Sequence, residues 1–462
     1  MFLRSFLCVV SGLFLFSAVV LLTGAPAQAQ FQTAEALTGQ DFADLKAEVA
    51  AAFQEVLDDP ANLDKSFRYA ELAIRIGDYE GAITSLERML LFNPDLPRVR
   101  LELGVLYFRL GSHSTAKTYL QRALEDENVP EDVRTRVLLF LEEINRRTQR
   151  HRYSGSVFTG LRFQTNSNAG PSNRSVKVAG FDFELDDEFT EQEDYNFFVV
   201  GNLNHNYDMQ NQEGDSWETS LTLYTSRQFD QSQLNLTFLQ VDTGPRRKLM
   251  PDSLDNASMR PYVKASAVTL DDEYYFGTAG IGVNFTNQFN SRLAGNLDFS
   301  GSKKSYDATS SSPTLNQRSS VEREISAGIQ YVIDQQTVMM VNASMVDESA
   351  KRDENSNREY ALSLAFSRTY APLITIPTAD PAPWATSASI TRQSTKYDDP
   401  DVFVDPDNVR HDKEWRFNLS TSVPVYRAFS LVGSLGHARV KSSIRNFEYD
   451  NTFVMLGANW RF

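Results

Sequence analysis

From about Tyr153 to Phe462 the apolar residues recur at every second position, in segments of roughly 10 to 15 residues. Trp415, Phe417 and Leu419 alternate with Glu414, Arg416, Asn418 and Ser420. Leu234, Leu236 and Phe238 alternate with Asn235 and Thr237, and Leu362, Leu364 and Phe366 with Ser363 and Ala365. Strands with one apolar and one polar face either pack that face in a core or turn it to lipid. In lipid the sheet must close, because an open edge leaves backbone groups unpaired. The last segment favours lipid. Leu456, Ala458, Trp460 and Phe462 share one face, and the chain stops on an aromatic carboxyl terminus. About 14 such strands fit between Tyr153 and Phe462, the even number a bacterial barrel requires. Val176 to Leu185 is assigned to a hairpin within a loop, which keeps both barrel ends on one side of the membrane. A soluble β-sandwich or β-helix is the competing reading, which alternation alone does not exclude.

Connection lengths add a second argument. Asp334-Gln335-Gln336, Asn287 to Ser291 and Val425 to Arg427 read as tight periplasmic turns. Thr165 to Gln192, Lys303 to Arg318, Asp347 to Arg358 and Tyr397 to His411 read as long, polar extracellular loops. Thr243 to Asn256 and Ala371 to Trp384 break the rule, being long on the periplasmic side. Gly457-x-x-Trp460-x-Phe462 also resembles the C-terminal signal read by the barrel-insertion machinery of Gram-negative bacteria, with Met455 where that signal usually carries a polar residue.

Residues 1–29 read as a secretory signal peptide: Arg4 supplies the positive start, Phe6 to Leu22 is almost wholly apolar, and Ala27-Gln28-Ala29 forms the cleavage site. The one cysteine, Cys8, lies inside that segment, so the mature chain is expected to fold without disulfides. No other segment approaches the roughly 20 apolar residues of a spanning helix. A net charge of −15 argues against a nucleic-acid partner.

Between Asp41 and Arg147 the pattern is helical and repeats. Pro60, Pro94 and Asn128 mark equivalent points 34 residues apart, the tetratricopeptide period. Leu103-Gly104, Tyr107, Gly111, Ala116, Leu120 and Ala123 occupy the slots held one period earlier by Tyr69-Ala70, Ala73, Gly77, Ala82, Leu86 and Met89. Small residues at 70/104 and 82/116 allow paired helices to approach closely, and Gly77 and Gly111 turn the chain. Amphipathic helices around Leu45 to Val56 and Val133 to Ile144 flank the two full repeats. Nothing in this half points to catalysis.

The five histidines, His113, His151, His205, His411 and His437, show no metal-ligand spacing, and neither a G-x-S-x-G elbow nor a phosphate loop occurs. Asp398-Asp399 and His411-Asp412 flank one expected loop and Asp271-Asp272 sits in another, which invites comparison with the omptin proteases; acidic doublets are ordinary in loops, and no enzyme activity is expected. An outer-membrane phospholipase brings Ser within two residues of its His, and no barrel histidine is so placed. Arg146-Arg147-Thr148-Gln149-Arg150-His151-Arg152 joins the halves without a flexible linker; it is read as helix-dipole compensation rather than as a lipid or client site. The solenoid is therefore expected to be held close under the barrel mouth.

The expected fold is thus α plus membrane β: a signal peptide over 1–29, a short tetratricopeptide solenoid over 30–150, and a transmembrane antiparallel barrel over 151–462. With Phe158-Thr159-Gly160-Leu161-Arg162-Phe163 running into Thr165-Asn166-Ser167-Asn168, and with Gly244-Pro245-Arg246, this order resembles the surface lipoprotein assembly modulators, the Slam family. The resemblance implies an outer-membrane factor, with its N-terminal domain in the periplasm. Its repeats would receive a client protein, a surface lipoprotein or a secreted haem- or metal-acquisition protein, for delivery through or via the barrel. The partners implied are that client, outer-membrane lipid and the insertion machinery, with no cofactor. The alternative is an exopolysaccharide export channel with a tetratricopeptide domain.

Overall fold

The computed structural model describes residues 39–125, 129–211, 214–249, 256–308, 313–374 and 382–462. The segment read as a signal peptide, with Ala27 and Ala29, and the repeat marker Asn128 lie outside the described residues. Two compact units divide the chain between Gln149 and Arg150.

The first unit is helical: α1 Gly39–Asp58, α2 Leu63–Ile76, α3 Tyr79–Phe92, α4 Pro97–Arg109, α5 His113–Ala123 and α6 Glu131–Thr148. Local chemistry sets the boundaries. The Asn62 side chain accepts from Lys65 N at 3.2 Å and that of Asp78 from Gly81 N at 2.9 Å, capping α2 and α3. Pro97 opens α4 at a position whose amide has no helical partner. Gly77 at φ +83° and Gly111 at φ +76° take the left-handed conformation in which α2 and α4 reverse into α3 and α5.

The second unit is a barrel with a small hairpin in one loop. Its elements are β1 His151–Gln164, β2 Ser175–Val178, β3 Phe181–Glu184, β4 Asp194–Asp208, β5 Ser216–Gln228, β6 Leu236–Lys248, β7 Ala257–Leu270, β8 Glu273–Gln288, β9 Leu293–Tyr306, β10 Ser320–Val332, β11 Thr337–Ala350, β12 Asn357–Tyr370, β13 Trp384–Tyr397, β14 His411–Tyr426, β15 Phe429–Ser442 and β16 Tyr449–Arg461. β1 and β4 to β16 close into one antiparallel barrel of 14 strands, with β16 paired to β1, while β2 and β3 form a separate two-stranded sheet. Among the described residues no helix is long and apolar enough to cross a membrane, which bears on helices and not on strands.

Closure gives each strand an outer and an inner face. On β14 Trp415, Phe417 and Leu419 are exposed, whereas Glu414 and Arg416 are buried on the other side. The outer face carries Ile281, Leu297, Ile325, Ile329, Leu362, Leu431, Leu435 and Leu456, all exposed, as in a barrel whose solvent there is hydrocarbon. At the end holding both barrel termini the outer face is aromatic. Trp460 lies 4.7 Å from Phe462 and 6.2 Å from Phe429, and Tyr370 lies 6.4 Å from Trp384.

Three sequence readings need correction. Leu236 and Phe238 face inward: Leu236 is buried with Val268, Tyr275 and Leu315, and the outer face of β6 is carried by Leu239 and Val241. An apolar cluster inside the wall reversed the apparent phase of that strand. The connection placed at Asp347 to Arg358 shrinks to 351–356, because β11 continues to Ala350 and β12 starts at Asn357; likewise β9 continues to Tyr306. The connection placed at Thr243 to Asn256 starts later, because β6 continues to Lys248, so that Gly244-Pro245-Arg246 lies within the strand.

Candidate functional site

Packing in the helical unit is carried by the small residues of the repeat. Ala70, Ala82, Ala116 and Ala123 are buried, as are Leu86, Leu103 and Leu120. At Gly104 a Cβ would lie 2.5 Å from Leu120 Cγ, so α4 and α5 approach too closely for any side chain there. Tyr107 and Tyr119 stack with centroids 5.5 Å apart, and both hydroxyls donate to Glu87 Oε1 at 2.9 Å. Burial, with the Glu87 hydrogen bond next, pushes the Tyr119 phenol up to about 12, and the same causes raise Tyr107. The repeat slot pointed to Tyr107; Tyr119 and Glu87, brought in from neighbouring helices, carried no motif.

Polar networks line the inner wall of the barrel. Arg416 pairs with Glu414 and donates to Gln393 Oε1 at 3.3 Å, and Gln393 donates to Glu359 at 2.8 Å. Lys304 pairs with Glu322 and, at 3.1 Å, with Glu348. Nearer the end with the termini, Arg260 reaches Asp242 at 2.5 Å and Glu218 at 3.5 Å, and Arg246 reaches Glu218 at 2.7 Å. Glu414, Arg416 and Asn418 therefore belong to the inner face, as their alternation with Trp415 and Phe417 implies. Between Thr243↔Val263 and Arg247↔Met259 the β6–β7 ladder is interrupted, and Pro245 and Pro261 face each other across the gap. Neither has an amide hydrogen to give.

At the end opposite the termini the loops hold one another. The β2–β3 hairpin docks through Asn446, whose side chain accepts from Lys177 N and donates to Lys177 O, each at 2.7 Å. Ala179 N and Gly180 N donate to Phe403 O and Val404 O. Asn166, fully buried, takes the amide of Gly170 at 2.8 Å, so the segment after β1 is tied back on itself.

The acidic and histidine doublets do not assemble. His411 and Asp412 are neighbours on β14 and point to opposite faces; Asp412 is held by Arg410 at 2.6 Å. Asp271 and Asp272 form the two-residue β7–β8 turn at φ +55° and +60°, with Asp272 paired to Arg227 at 3.0 Å. Asp398 and Asp399 are exposed in the loop after β13. The structure does bring Ser394 Oγ to 3.0 Å from His411 Nε2, a contact between adjacent strands that a search for nearby residues in sequence misses. Among the described residues no carboxylate hydrogen-bonds His411, and no group of three His, Cys, Asp or Glu side chains is placed to hold a metal ion.

The basic run between the units is dispersed. Arg146 pairs with Glu143 at 2.5 Å, Arg150 donates to Gln210 at 2.7 Å, Arg152 donates to Asn206 at 3.1 Å, and His151 meets His205 at 2.9 Å. Only Gln149 and Arg150 lie between α6 and β1.

At the carboxyl terminus Gly155 N donates to Phe462 O at 2.9 Å and Phe462 N donates to Gly155 O at 3.1 Å, so the last residue is part of the barrel wall. Gly457 faces Gly160, and Trp460 faces Val157.

These features define a class: a tetratricopeptide solenoid followed by a closed antiparallel β-barrel of 14 strands, compatible with an outer-membrane protein. The tetratricopeptide repeat model matches residues 73–135, and no curated protein sequence matches the chain. Solved structures similar to the helical part include the Yersinia enterocolitica type III secretion chaperone SycD in complex with a peptide of the translocator YopD, at 20% identity over 23% of this chain and 84% of that one (TM-score 0.22). MamA is 21% identical over 22% of this chain and 60% of that one (TM-score 0.21), and the first repeat domain of RPAP3 bound to an HSP90 peptide is 16% identical over 22% and 81% (TM-score 0.20).

Proposed function

We propose that the protein is an outer-membrane assembly or translocation factor whose periplasmic repeats receive a client protein and whose barrel passes or displays it, without covalent chemistry. The observation that carries this reading is the direct fusion of a protein-binding repeat to a barrel, with two residues between α6 and β1. A channel for small solutes has no need of a fused repeat module. The polar inner wall around Arg416, Lys304 and Arg260 suits a hydrated path or a polypeptide backbone better than an apolar cargo. The aromatic rim beside both termini, and Phe462 as the last residue of the wall, fit insertion by the machinery that reads barrel C-termini. The client class, a surface lipoprotein or a secreted haem- or metal-acquisition protein, follows from the resemblance to the Slam family.

The test is protease shaving of intact cells for a lipoprotein encoded beside this gene, with and without the gene and with E414Q/R416M, which removes the buried pair without leaving an unpaired charge. Loss of surface exposure on deletion, and reduced exposure with E414Q/R416M at unchanged barrel levels, is expected. Unchanged exposure of every neighbouring candidate together with lost polysaccharide secretion would replace this reading by that of a polysaccharide exporter.

A further inference from the structure

The protein as a whole is acidic, yet one sector of the barrel's outer face is basic. At the end opposite the termini, Lys396 on β13 and Lys413 on β14 lie on the outer face, and Lys413 sits directly opposite Lys441 on β15. Lys396 is paired in register with Arg358 on one side and His411 on the other. All three lysines are exposed, and among the described residues none of them forms an ion pair. Like charges directly opposite on antiparallel strands, with Cβ atoms about 5 Å apart, destabilise a sheet unless something neutralises them.

Apart from the exposed Asp398 just past the end of β13, the neighbouring carboxylates do not. Asp412 and Glu414 point inward to Arg410 and Arg416. Asp450 is taken by Arg439, and Asp347 is shared between Arg323 and Arg358. Across the barrel the corresponding outer positions of β4 to β7 are Tyr195, Thr225, Thr237 and Thr269, and Arg227 there is already paired with Asp272. The charge is a local feature of one sector.

Its height on the wall identifies the occupant. Directly below Lys413 on the same face come Trp415, Phe417 and Leu419, with Arg392 over the Trp415 ring at 5.1 Å. A strand rises about 3.3 Å per residue and tilts by about 40°, so Lys413 to Val423 spans about 25 Å along the membrane normal, the height of a barrel's apolar band. Lys413 thus lies at the hydrocarbon edge, above a tryptophan, at headgroup level. A soluble anion has no reason to meet a lipid-facing surface; an anionic lipid is held there by its acyl chains.

We propose that Lys396, Lys413 and Lys441 form a binding site for the phosphate groups of a net-anionic phosphorylated lipid in the leaflet facing the end of the barrel opposite its termini. The proposal rests on the membrane reading of the barrel. The lipid's phosphates neutralise the facing lysines, and its chains lie along Trp415, Phe417 and Leu435.

The experiment uses the full chain in nanodiscs of zwitterionic phosphatidylcholine doped with a bis-phosphorylated disaccharide lipid, compared with the same lipid after dephosphorylation. Retained lipid is identified and quantified by mass spectrometry after detergent exchange. A lysine at an anionic surface contributes about fivefold, so K396Q/K413Q/K441Q should lower retention by about a hundredfold and a single substitution by about fivefold. The dephosphorylated lipid should not be enriched, and millimolar inorganic phosphate should not displace the intact one. Equal retention by the triple variant, equal retention of the dephosphorylated lipid, or displacement by inorganic phosphate alone would each overturn the site. A heat-dependent shift on SDS gels separates the two readings. If the shift is present and lipid is not retained, the lipid site alone fails; if the shift is absent, the membrane barrel fails first.

Discussion

Substituting Gly104 by alanine sets two effects against each other, and the structure decides their sign. In an isolated helix the change is favourable by about 1 kcal/mol, because alanine loses less backbone freedom than glycine. Here the new methyl would stand 2.5 Å from Leu120 Cγ and 2.7 Å from Leu120 Cδ2, with the carbonyl oxygen of Ala116 on the same helix at 3.4 Å. Leu120 is fully buried and has nowhere to retreat. Overpacking of this kind costs about 1–3 kcal/mol, so the net expectation is a loss of about 1 kcal/mol. For a unit near 100 residues that lowers the melting temperature by about 4–8 °C. The full chain in detergent suits the assay, since ellipticity at 222 nm follows the helices while the barrel stays folded. L120A alone should cost about 2–5 kcal/mol. With G104A added, the methyl occupies space that the leucine vacated, and the double variant should be less destabilised than the sum by at least about 0.5 kcal/mol. A G104A protein that melts higher than the parent, or strict additivity with L120A, would refute the close approach of α4 and α5.

R416A leaves Glu414 buried without its partner and should destabilise the barrel by about 3–5 kcal/mol in denaturant titration, whereas E414Q/R416M should be close to neutral. The Tyr119 phenol is raised to about 12 in the fold, so the unfolded chain gives up its proton first as pH rises; helical stability should hold below about pH 10 and fall between about 10 and 12, and E87Q should flatten that fall. Deleting Phe462 removes two wall hydrogen bonds and an aromatic from the rim, and should reduce the heat-shifted folded band more than F417L does. Amides flanking the Pro245/Pro261 gap should exchange faster by mass spectrometry than those midway along β13 and β14; equal protection would show that the ladder is continuous there.

How much of this was legible in sequence depends on how local the determinant is. The repeat was readable because Gly77, Gly111 and the alanines recur at a fixed spacing, and each acts on its immediate neighbours. Strand number was readable because outward Leu, Ile and Phe must appear on every strand. The phase of β6 was not, because Leu236 and Phe238 pack inside against Val268 and Leu315, and apolar residues look alike on either face. Loop ends such as 351–356 were overestimated because Asp347, Glu348 and Arg358, polar enough for a loop, sit within strands where they pair across the sheet. The Ser394–His411 contact and the Lys413–Lys441 juxtaposition depend on register, which is fixed by the closed sheet and written in no short motif.

The seam where β16 meets β1 runs from Ser156 to Gln164, while the other edge of β1 is paired along its whole length with β4. At its centre Gly160 lies against Gly457, and a Cβ on either would come within 2.2–2.4 Å of the other strand's backbone. The strand that completes the circle is therefore β16, and Phe462 fastens it to Gly155. A chain lacking β16 remains a sheet with two bare edges, exposed to chaperones and proteases that act on unpaired strands. This one seam decides whether the sheet offers free edges or none.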